Sequence, residues 1–422
     1  MQARESGPHI VVFSSLFPNS RQPGLGLFVR ERMFRVGARL PLAVVSPLPW
    51  FPLQGLLRGL RPGFRPGAPA FESQQGFDVW HPRFLSVPGV LKRLDGTFMA
   101  LGALSRLSKL KRAGRLDIID AHFAYPEGYA ASLLGRWLDV PVTITLRGTE
   151  SRHARDPVLR RLVRRGLQRA KRVFSVSESL RRIALSLGIS LDKVRVVGNG
   201  VDAEKFVPIE KAEARRILGL AAEVPVLVTV GGLVERKGFH RVIECLPVLR
   251  ASFPGLQYLI VGGAGPEGDW TGRLKVLIDS LRLQDCVRFL GPLPADELKL
   301  PLSAADVFVL SSRNEGWANV FLEAMACGLP VVSTDVGGNA EVICDPRLGT
   351  IVPFDDAEAL TASLDDALRR QWDRASIRQH ALSNTWDQRV DALVQEFQQI
   401  AGPGEARSLR PAGSDAPFRG AG

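Results

Sequence analysis

Short apolar runs rich in β-branched residues and nearly free of charge recur along this chain, separated by helix-like stretches. In the first half they are HIVVFSSLF (9–17), PLAVVSPLP (41–49), LDIIDAHF (116–123), PVTITLRG (141–148), RVFSVS (172–177) and VRVVGNG (194–200). In the second half they are PVLVTVGGL (225–233), LQYLIVGG (256–263), CVRFLG (286–291), ADVFVLSS (305–312) and PVVSTD (330–335). A strand apolar on both sides has no face for water, so these runs require parallel sheets covered by crossover helices. Two successive sets predict two doubly wound α/β halves, and 422 residues are too many for one core. The expected division is 1–205 and 206–384, with a helix at about 385–400 packing back on the first half and a disordered Gly/Pro/Ser-rich tail at 401–422. Parallel strands present their ligand loops at the carboxyl ends, which places the site in a cleft between the halves.

Composition narrows the class. With 45% hydrophobic and 23% charged residues the chain is neither disordered nor fibrous. Its four cysteines (Cys245, Cys286, Cys327, Cys344) form no CxxC pair, which argues against a disulfide framework or structural zinc and for a reducing compartment. The first nine residues hold no apolar signal core, and no run reaches the length of a membrane span, so a cytoplasmic protein is expected. The net charge of +12 is uneven. Residues 1–205 carry 33 Lys+Arg and 15 Asp+Glu, a balance of +18, against −6 for residues 206–422. One half is thus suited to an anionic surface or polymer.

The most informative stretch is SSRNEGWANVFLEAMACGLPVVSTDVGG (311–338). A buried strand ends at Ser311, and a polar loop leads through Glu315-Gly316 into a helix bounded by Gly328 and Pro330. The helix start at Trp317 to Val320 offers backbone N–H groups and a dipole suited to a diphosphate. Glu315 and Glu323 stand at Glu-x7-Glu spacing; in isolation such a pair reads as solvated residues at a helix start.

With its following GLPVV and GG, this segment resembles the retaining nucleotide-sugar glycosyltransferases of family 4 (glycosyl transferases group 1). Their GT-B fold sets two Rossmann-like domains across a cleft. The resemblance runs from the loop FPNSRQPGLGLF (17–28) to a helix around Trp386. It implies that Glu323 binds the nucleotide ribose and Glu315 holds the donor sugar as a catalytic residue. It further implies that Gly316 and the amides of Ala318, Asn319 and Val320 meet the diphosphate.

Further motifs agree. In VGGLVERKGFH (230–240) Lys237 is placed to neutralise phosphate and act in catalysis, while the family's usual Arg is here Gly232 and Arg236 is the nearby substitute. Gly24 and Gly26 allow close backbone approach in the first loop, as a plain tight turn also would. His122 ends a buried strand in DIIDAHFAYPEGYAA (117–131); a lone His there is commonly structural, and the resemblance makes it a catalytic candidate beside the reacting sugar. Arg147 of LRGTE (146–150) reads equally as an acceptor contact or a structural ion pair, and with Tyr125 it is assigned to the acceptor side. VSESL (176–180) ends a strand on that side, and NGVD (199–202) falls at the domain junction. GAGPEG (263–268) spells a dinucleotide fingerprint, but the acid expected about 20 positions on could only be Asp285, which precedes a strand; Gly263 and Gly265 fit a loop beside the donor nucleotide.

The resemblance implies hexosyl transfer from a nucleotide-diphosphate sugar, a UDP-sugar being expected, with retention and without a metal or other cofactor. Asp355-Asp356 reads as a helix N-cap. The acceptor is expected to be a saccharide or lipid-linked molecule of cell-surface polysaccharide or glycolipid synthesis. The basic half carries WFPLQGLLRGLRPGFRPG (50–67), with Arg58, Arg61 and Arg65 among its apolar residues, and RHARDPVLRRLVRRGLQRAKR (152–172). Both suit peripheral docking at the anionic inner face of the cell membrane, although a packed helix with a solvated face explains the apolar stripe of the second. No nucleic-acid recognition motif accompanies the arginines. The alternative is a non-catalytic or NAD(P)-dependent two-domain Rossmann protein.

Overall fold

The structure, a computed structural model, describes residues 7–52, 54–60, 64–153, 155–265 and 267–402. Arg61, Pro266 and the expected tail beyond Gly402 lie outside the described residues. The first half contributes strands β1 (Ile10–Phe13), β2 (Leu42–Val45), β3 (Leu48–Trp50), β4 (Phe71–Gln74), β5 (Phe77–Trp80), β6 (Arg83–Leu85), β7 (Ile118–His122), β8 (Val142–Leu146), β9 (Arg172–Ser175) and β10 (Val194–Val196). The second contributes β11 (Val226–Val230), β12 (Gln257–Val261), β13 (Val287–Gly291), β14 (Val307–Leu310), β15 (Val331–Thr334) and β16 (Gly349–Val352).

All eleven expected strands form. The central ones alternate their side chains between two buried layers: Val11 and Phe13 enter one core cluster while Ile10 and Val12 enter another. In the second half Val226 and Val228 face one cluster and Leu227 the other. This double burial is why the runs lack charge.

The first sheet runs β10-β9-β8-β7-β1-β2-β5-β4, and the second β13-β12-β11-β14-β15-β16. Every neighbouring pair is parallel except the edge pair β4–β5, which is antiparallel. That hairpin departs from the all-parallel expectation, as does the small β3–β6 ribbon beside the first sheet. Strand order reverses between β1 and β7 in one half and between β11 and β14 in the other. Crossover helices diverge at those points, opening a crevice at the strands' carboxyl ends.

Two connections matter for the site. The junction 197–210 is tied by backbone bonds between Val201 and residues Asn384 and Trp386. The helix Trp386–Ala401 then buries Val390, Leu393 and Phe397 in the first half's core, with Phe397 edge-on to Phe174.

Candidate active site

In the second half, the loops after β11 and β14 flank the reversal point, and both end in a charged cluster. After β11 a short turn (Glu235–Lys237) precedes the helix Phe239–Ser252. Gly238 between them has φ of 75°, and a Cβ there would overlap the carbonyl oxygen of Ser311. Only glycine lets the turn close onto the end of β14. The Ser311 hydroxyl donates back to the Gly238 carbonyl at 2.8 Å, and Arg313 N–H donates to the Arg236 carbonyl at 2.8 Å. These bonds hold the two loops in register.

That closure delivers two cations to one carboxylate oxygen. Lys237 Nζ donates to Glu315 Oε1 at 2.7 Å, Arg236 Nη1 at 3.2 Å, and the Ser312 hydroxyl at 2.9 Å. Burial pushes the Glu315 carboxyl up, but Lys237 and Arg236 outweigh it and hold the group below its ordinary range. Arg236 also grips Glu267 through Nε at 3.0 Å and Nη2 at 2.8 Å. The glycines complete the floor. Leu233 N–H donates to the Gly263 carbonyl at 2.7 Å, and a Cβ on Gly232 would stand 3.7 Å from Gly265 Cα.

The helix Asn319–Ala326 begins two residues later than expected, after Trp317 and Ala318. No side chain caps its N-terminus, so the N–H groups of Asn319 and Val320 at its start have no side-chain acceptor. Glu323 lies one turn further on. Burial pushes its carboxyl up to about 7, with Lys205 pulling it down and Glu31 pushing it up.

The halves meet at this point. Gly148 and Gly316 pack backbone to backbone, a Cβ on Gly148 lying 3.0 Å from Gly316 Cα. Asn199 Nδ2 donates to Asn319 Oδ1 at 2.8 Å, and Trp317 packs against both cores. Glu341 accepts the N–H groups of Glu178 (2.6 Å) and Ser179 (2.9 Å) at the start of the helix Glu178–Ser186.

In the first half the loop after β1 places Gly26 at φ 65°, against the Leu16 carbonyl, as the residue preceding the helix Leu27–Gly37. Gly24 has no neighbour within 4 Å of a Cβ and sits in the open. His122, wholly buried at the end of β7, lies between Asp120 (Nε2–Oδ2 3.2 Å) and Arg147, whose Nε donates to its Nδ1 at 3.0 Å. Accepting at Nδ1 puts the imidazole proton on Nε2, toward Asp120. Burial, then Arg147, brings this His down to about 4, so it is neutral at physiological pH. Tyr125 donates its hydroxyl to the Lys92 carbonyl at 2.7 Å, turned toward the helix Asp95–Arg112.

Glu315, Lys237 and Arg236, expected at one site, converge. Gly232, Gly263 and Gly265 line the same floor, while Gly316, Ala318, Asn319 and Val320 form the adjoining loop and helix start. Gly24 stands in the open, and the Tyr125 hydroxyl bonds Lys92 and Gly96 rather than the cluster. No motif in the sequence singles out Arg32, Asp120, Ser312, Glu267 or Glu341, which the structure adds to these surroundings. Arg32 is fully buried in the helix Leu27–Gly37 beside Arg147 and Asn199. Among the described residues no group of three His, Cys, Asp or Glu side chains is arranged to hold a metal ion.

The family model for glycosyl transferases group 1 matches residues 210–384, and that for glycosyltransferase family 4 matches residues 63–205. A D-inositol 3-phosphate glycosyltransferase of Corynebacterium urealyticum is 31% identical over 324 residues, spanning 71% of this chain and 75% of the relative. Among solved structures, sucrose-phosphate synthase of Thermosynechococcus elongatus superposes with TM-score 0.73 at 21% identity, over 94% of this chain and 99% of the other. HepE of Anabaena, solved in complex with UDP, gives 0.69 at 19% identity, over 92% and 99%. The chain belongs to the group 1, family 4 glycosyltransferases, enzymes built on the GT-B fold.

Proposed function

We propose that this glycosyltransferase moves a hexosyl unit from a nucleotide-diphosphate sugar, a UDP-sugar in the first instance, to a saccharide or lipid-linked acceptor, with retention of anomeric configuration. The observation that carries this reading is Glu315, fixed by Lys237 and Arg236 beside an uncapped helix N-terminus. A fixed carboxylate accepts hydrogen bonds from sugar hydroxyls, while the cations and amides receive the charge that grows on a departing diphosphate. Glu323 accepts from the ribose hydroxyls. The bond from the anomeric carbon to the phosphate oxygen breaks, the acceptor oxygen bonds to that carbon on the same face, and the acceptor's proton passes to the departing phosphate oxygen. No metal or other cofactor enters this scheme. UDP bound to HepE supports the base assignment by analogy of fold.

The acceptor side of the proposal includes peripheral docking at an anionic membrane. Leu56 and Leu57 stand exposed on the helix Gln54–Leu60, next to exposed Trp50. Trp50, Leu85 and Leu101 border one shallow groove of about 450 Å³. Arg93 reaches Asp156 at 3.5 Å, joining this face to the helix Pro157–Arg169, whose Arg160, Arg161, Arg164 and Arg165 are exposed above buried Val163 and Leu167. No helix among the described residues is long and apolar enough to cross a membrane. Exposed apolar residues rimmed by arginine favour the interface of an anionic bilayer.

Thermal-shift measurements with UDP, GDP and NAD, followed by a donor-hydrolysis panel, test the transferase. Stabilisation by a nucleoside diphosphate, lost in Glu323→Ala, is expected. Stabilisation by NAD alone overturns it. Co-sedimentation with phosphatidylglycerol and phosphatidylcholine vesicles tests docking, and equal absence of binding to both refutes it.

A further inference from the structure

A buried arginine with a purely structural task is satisfied, as Arg215 demonstrates. Its Nε donates to the Ala304 carbonyl at 3.0 Å and its Nη2 to Asp306 at 2.8 Å. Arg32 and Arg147 differ. Arg32 is fully buried, yet its Nε and Nη2 have no hydrogen-bond partner, and neither does Arg147 Nη2. Both guanidinium groups reach the same oxygen, Asn199 Oδ1, at the long distance of 3.5 Å. Arg147 spends its Nε on His122 and lies over the ring of Phe28 at 5.1 Å.

The carboxylates around them are engaged elsewhere. Asp120 accepts from the Thr143 hydroxyl at 2.7 Å and faces His122. Glu150 accepts three backbone N–H groups, from Ala124, Arg147 and Gly148. His122 is neutral and adds no negative charge. The two cations repel one another in a desolvated place. Asp120 attracts both and Glu150 attracts Arg147, but the hydrogen bonds of those carboxylates go to Thr143 and to backbone N–H groups, and burial lowers both arginines from their ordinary values. Such an arrangement is costly unless an anion completes it.

Its location says which anion. Arg147 precedes Gly148, which packs on Gly316 next to Glu315, and Asn199 bonds Asn319 at the helix start. The pair therefore borders the place where the donor sugar and acceptor meet. We propose that Arg32 and Arg147 form a receptor for a compact oxyanion on the substrate, a sugar carboxylate or a phosphate monoester. This inference rests on the transferase reading and sharpens it. Guanidinium groups suit this ligand because their planar N–H forks match carboxylate and phosphate oxygens. The oxyanion has two possible carriers: a hexuronosyl unit on the donor or a phosphate on the acceptor.

The test uses the full chain and four probes. In the donor arm, hydrolysis of UDP-glucuronate is compared with that of UDP-glucose without acceptor. In the acceptor arm, calorimetry compares inositol 1-phosphate with inositol in the absence of nucleotide. At least one arm is expected to favour the anionic probe tenfold or more, and the arm that does so names the carrier. Arg147→Gln and Arg32→Gln should each bring that ratio toward one while the UDP thermal shift persists. Arg32→Lys, which keeps the charge, should retain most of the preference and serves if the glutamine variant does not fold. Ratios near one in both arms, or a preference that survives both glutamine variants, overturn the proposal. Anion binding by the arginines without any nucleotide binding would instead sink the transferase reading and leave the receptor standing.

Discussion

The two reversal points of this molecule carry opposite electrostatic solutions. In the second half one buried carboxylate, Glu315, receives Lys237, Arg236 and Ser312. In the first half the buried Arg32 and the half-buried Arg147 share one amide oxygen. The same topology builds both mouths, so the difference lies in loop chemistry rather than in fold. Where charge closes locally, the proposed reading presents the fixed carboxylate to sugar hydroxyls and keeps its two cations beside the diphosphate. Where guanidinium N–H groups are left without acceptors, the proposed ligand brings the oxyanion. The bulk charge of +18 on the first half and −6 on the second describes surfaces and conceals this inner contrast.

The largest effect expected from breaking the contrast is structural. Gly238→Val puts a branched side chain at φ 75° and into the Ser311 carbonyl, which dismantles the closure that delivers Lys237 to Glu315. A loss above about 3 kcal/mol is expected, from backbone strain plus overlap. Gly24→Ala in the first half's loop meets nothing within 4 Å and should change stability by less than ~0.5 kcal/mol. Thermal or urea melts check both. A mild Gly238 variant would show that the loop–loop closure is dispensable.

Next comes the cation pair itself. Lys237→Ala removes the shorter bond to Glu315, and its kcat/KM should fall by ~10²–10³, as for loss of one group stabilising a transition-state oxyanion. Arg236→Ala should cost less, about tenfold, because that guanidinium is also held by Glu267, itself half exposed, and sits on the longer bond. Steady-state kinetics with the preferred donor decide the order. Equal losses would show that Arg236 fully substitutes at Gly232.

How much of this was legible in sequence follows from where each signal resides. Apolar runs such as LVTV (227–230) advertise their strands because both faces are buried. Strand β4, FESQ, alternates exposed and half-buried positions at a sheet edge, and β3 contains Pro49, so neither shows such a run. The convergence of Glu315 and Lys237 was readable because each sits in a bounded strand–loop–helix motif. Arg32 was not readable. It stands in LFVRERMFRVG among other charged residues, and only packing distinguishes it from its half-buried charged neighbours on the same helix. Its partners Asn199 and Arg147 are 167 and 115 residues away, a separation for which no local pattern exists.

A smaller effect separates Glu323 from Glu315 by pH. The Glu315 carboxyl is held below its ordinary range and stays ionised through neutrality, while Glu323 is pushed up to about 7. Raising the folded-state value above the unfolded one favours the protonated form in the fold, so this group's contribution to stability falls as pH rises from about 4.5 to 7. Ribose binding through the carboxylate has the opposite slope. Nucleotide affinity should rise as pH passes upward through about 7, by up to about tenfold between one unit below and one above. Calorimetric titration of UDP across that range checks it. Glu323→Gln should flatten the profile, and an unchanged profile in the variant would remove Glu323 from the ribose.

The smallest effect tests how firmly the two mouths are held together. Glu341 in the second half supplies a carboxylate to two N–H groups at the start of Glu178–Ser186 in the first, where Ser177 already caps Leu180 N–H at 3.3 Å. A capping carboxylate in addition to a serine cap is worth about 1 kcal/mol. Glu341→Ala should therefore lower global stability by about that amount. It should also loosen the approach of Gly316 to Gly148, so the KM for donor rises more than kcat falls. Ser177→Ala, which removes a cap within one half, should lower stability comparably and leave the donor KM unchanged, because its hydroxyl bonds Leu180 and Ser179 in the first half and the Cβ that packs near Gly338 is kept. Matching KM values in the two variants would show that Glu341 only caps its helix.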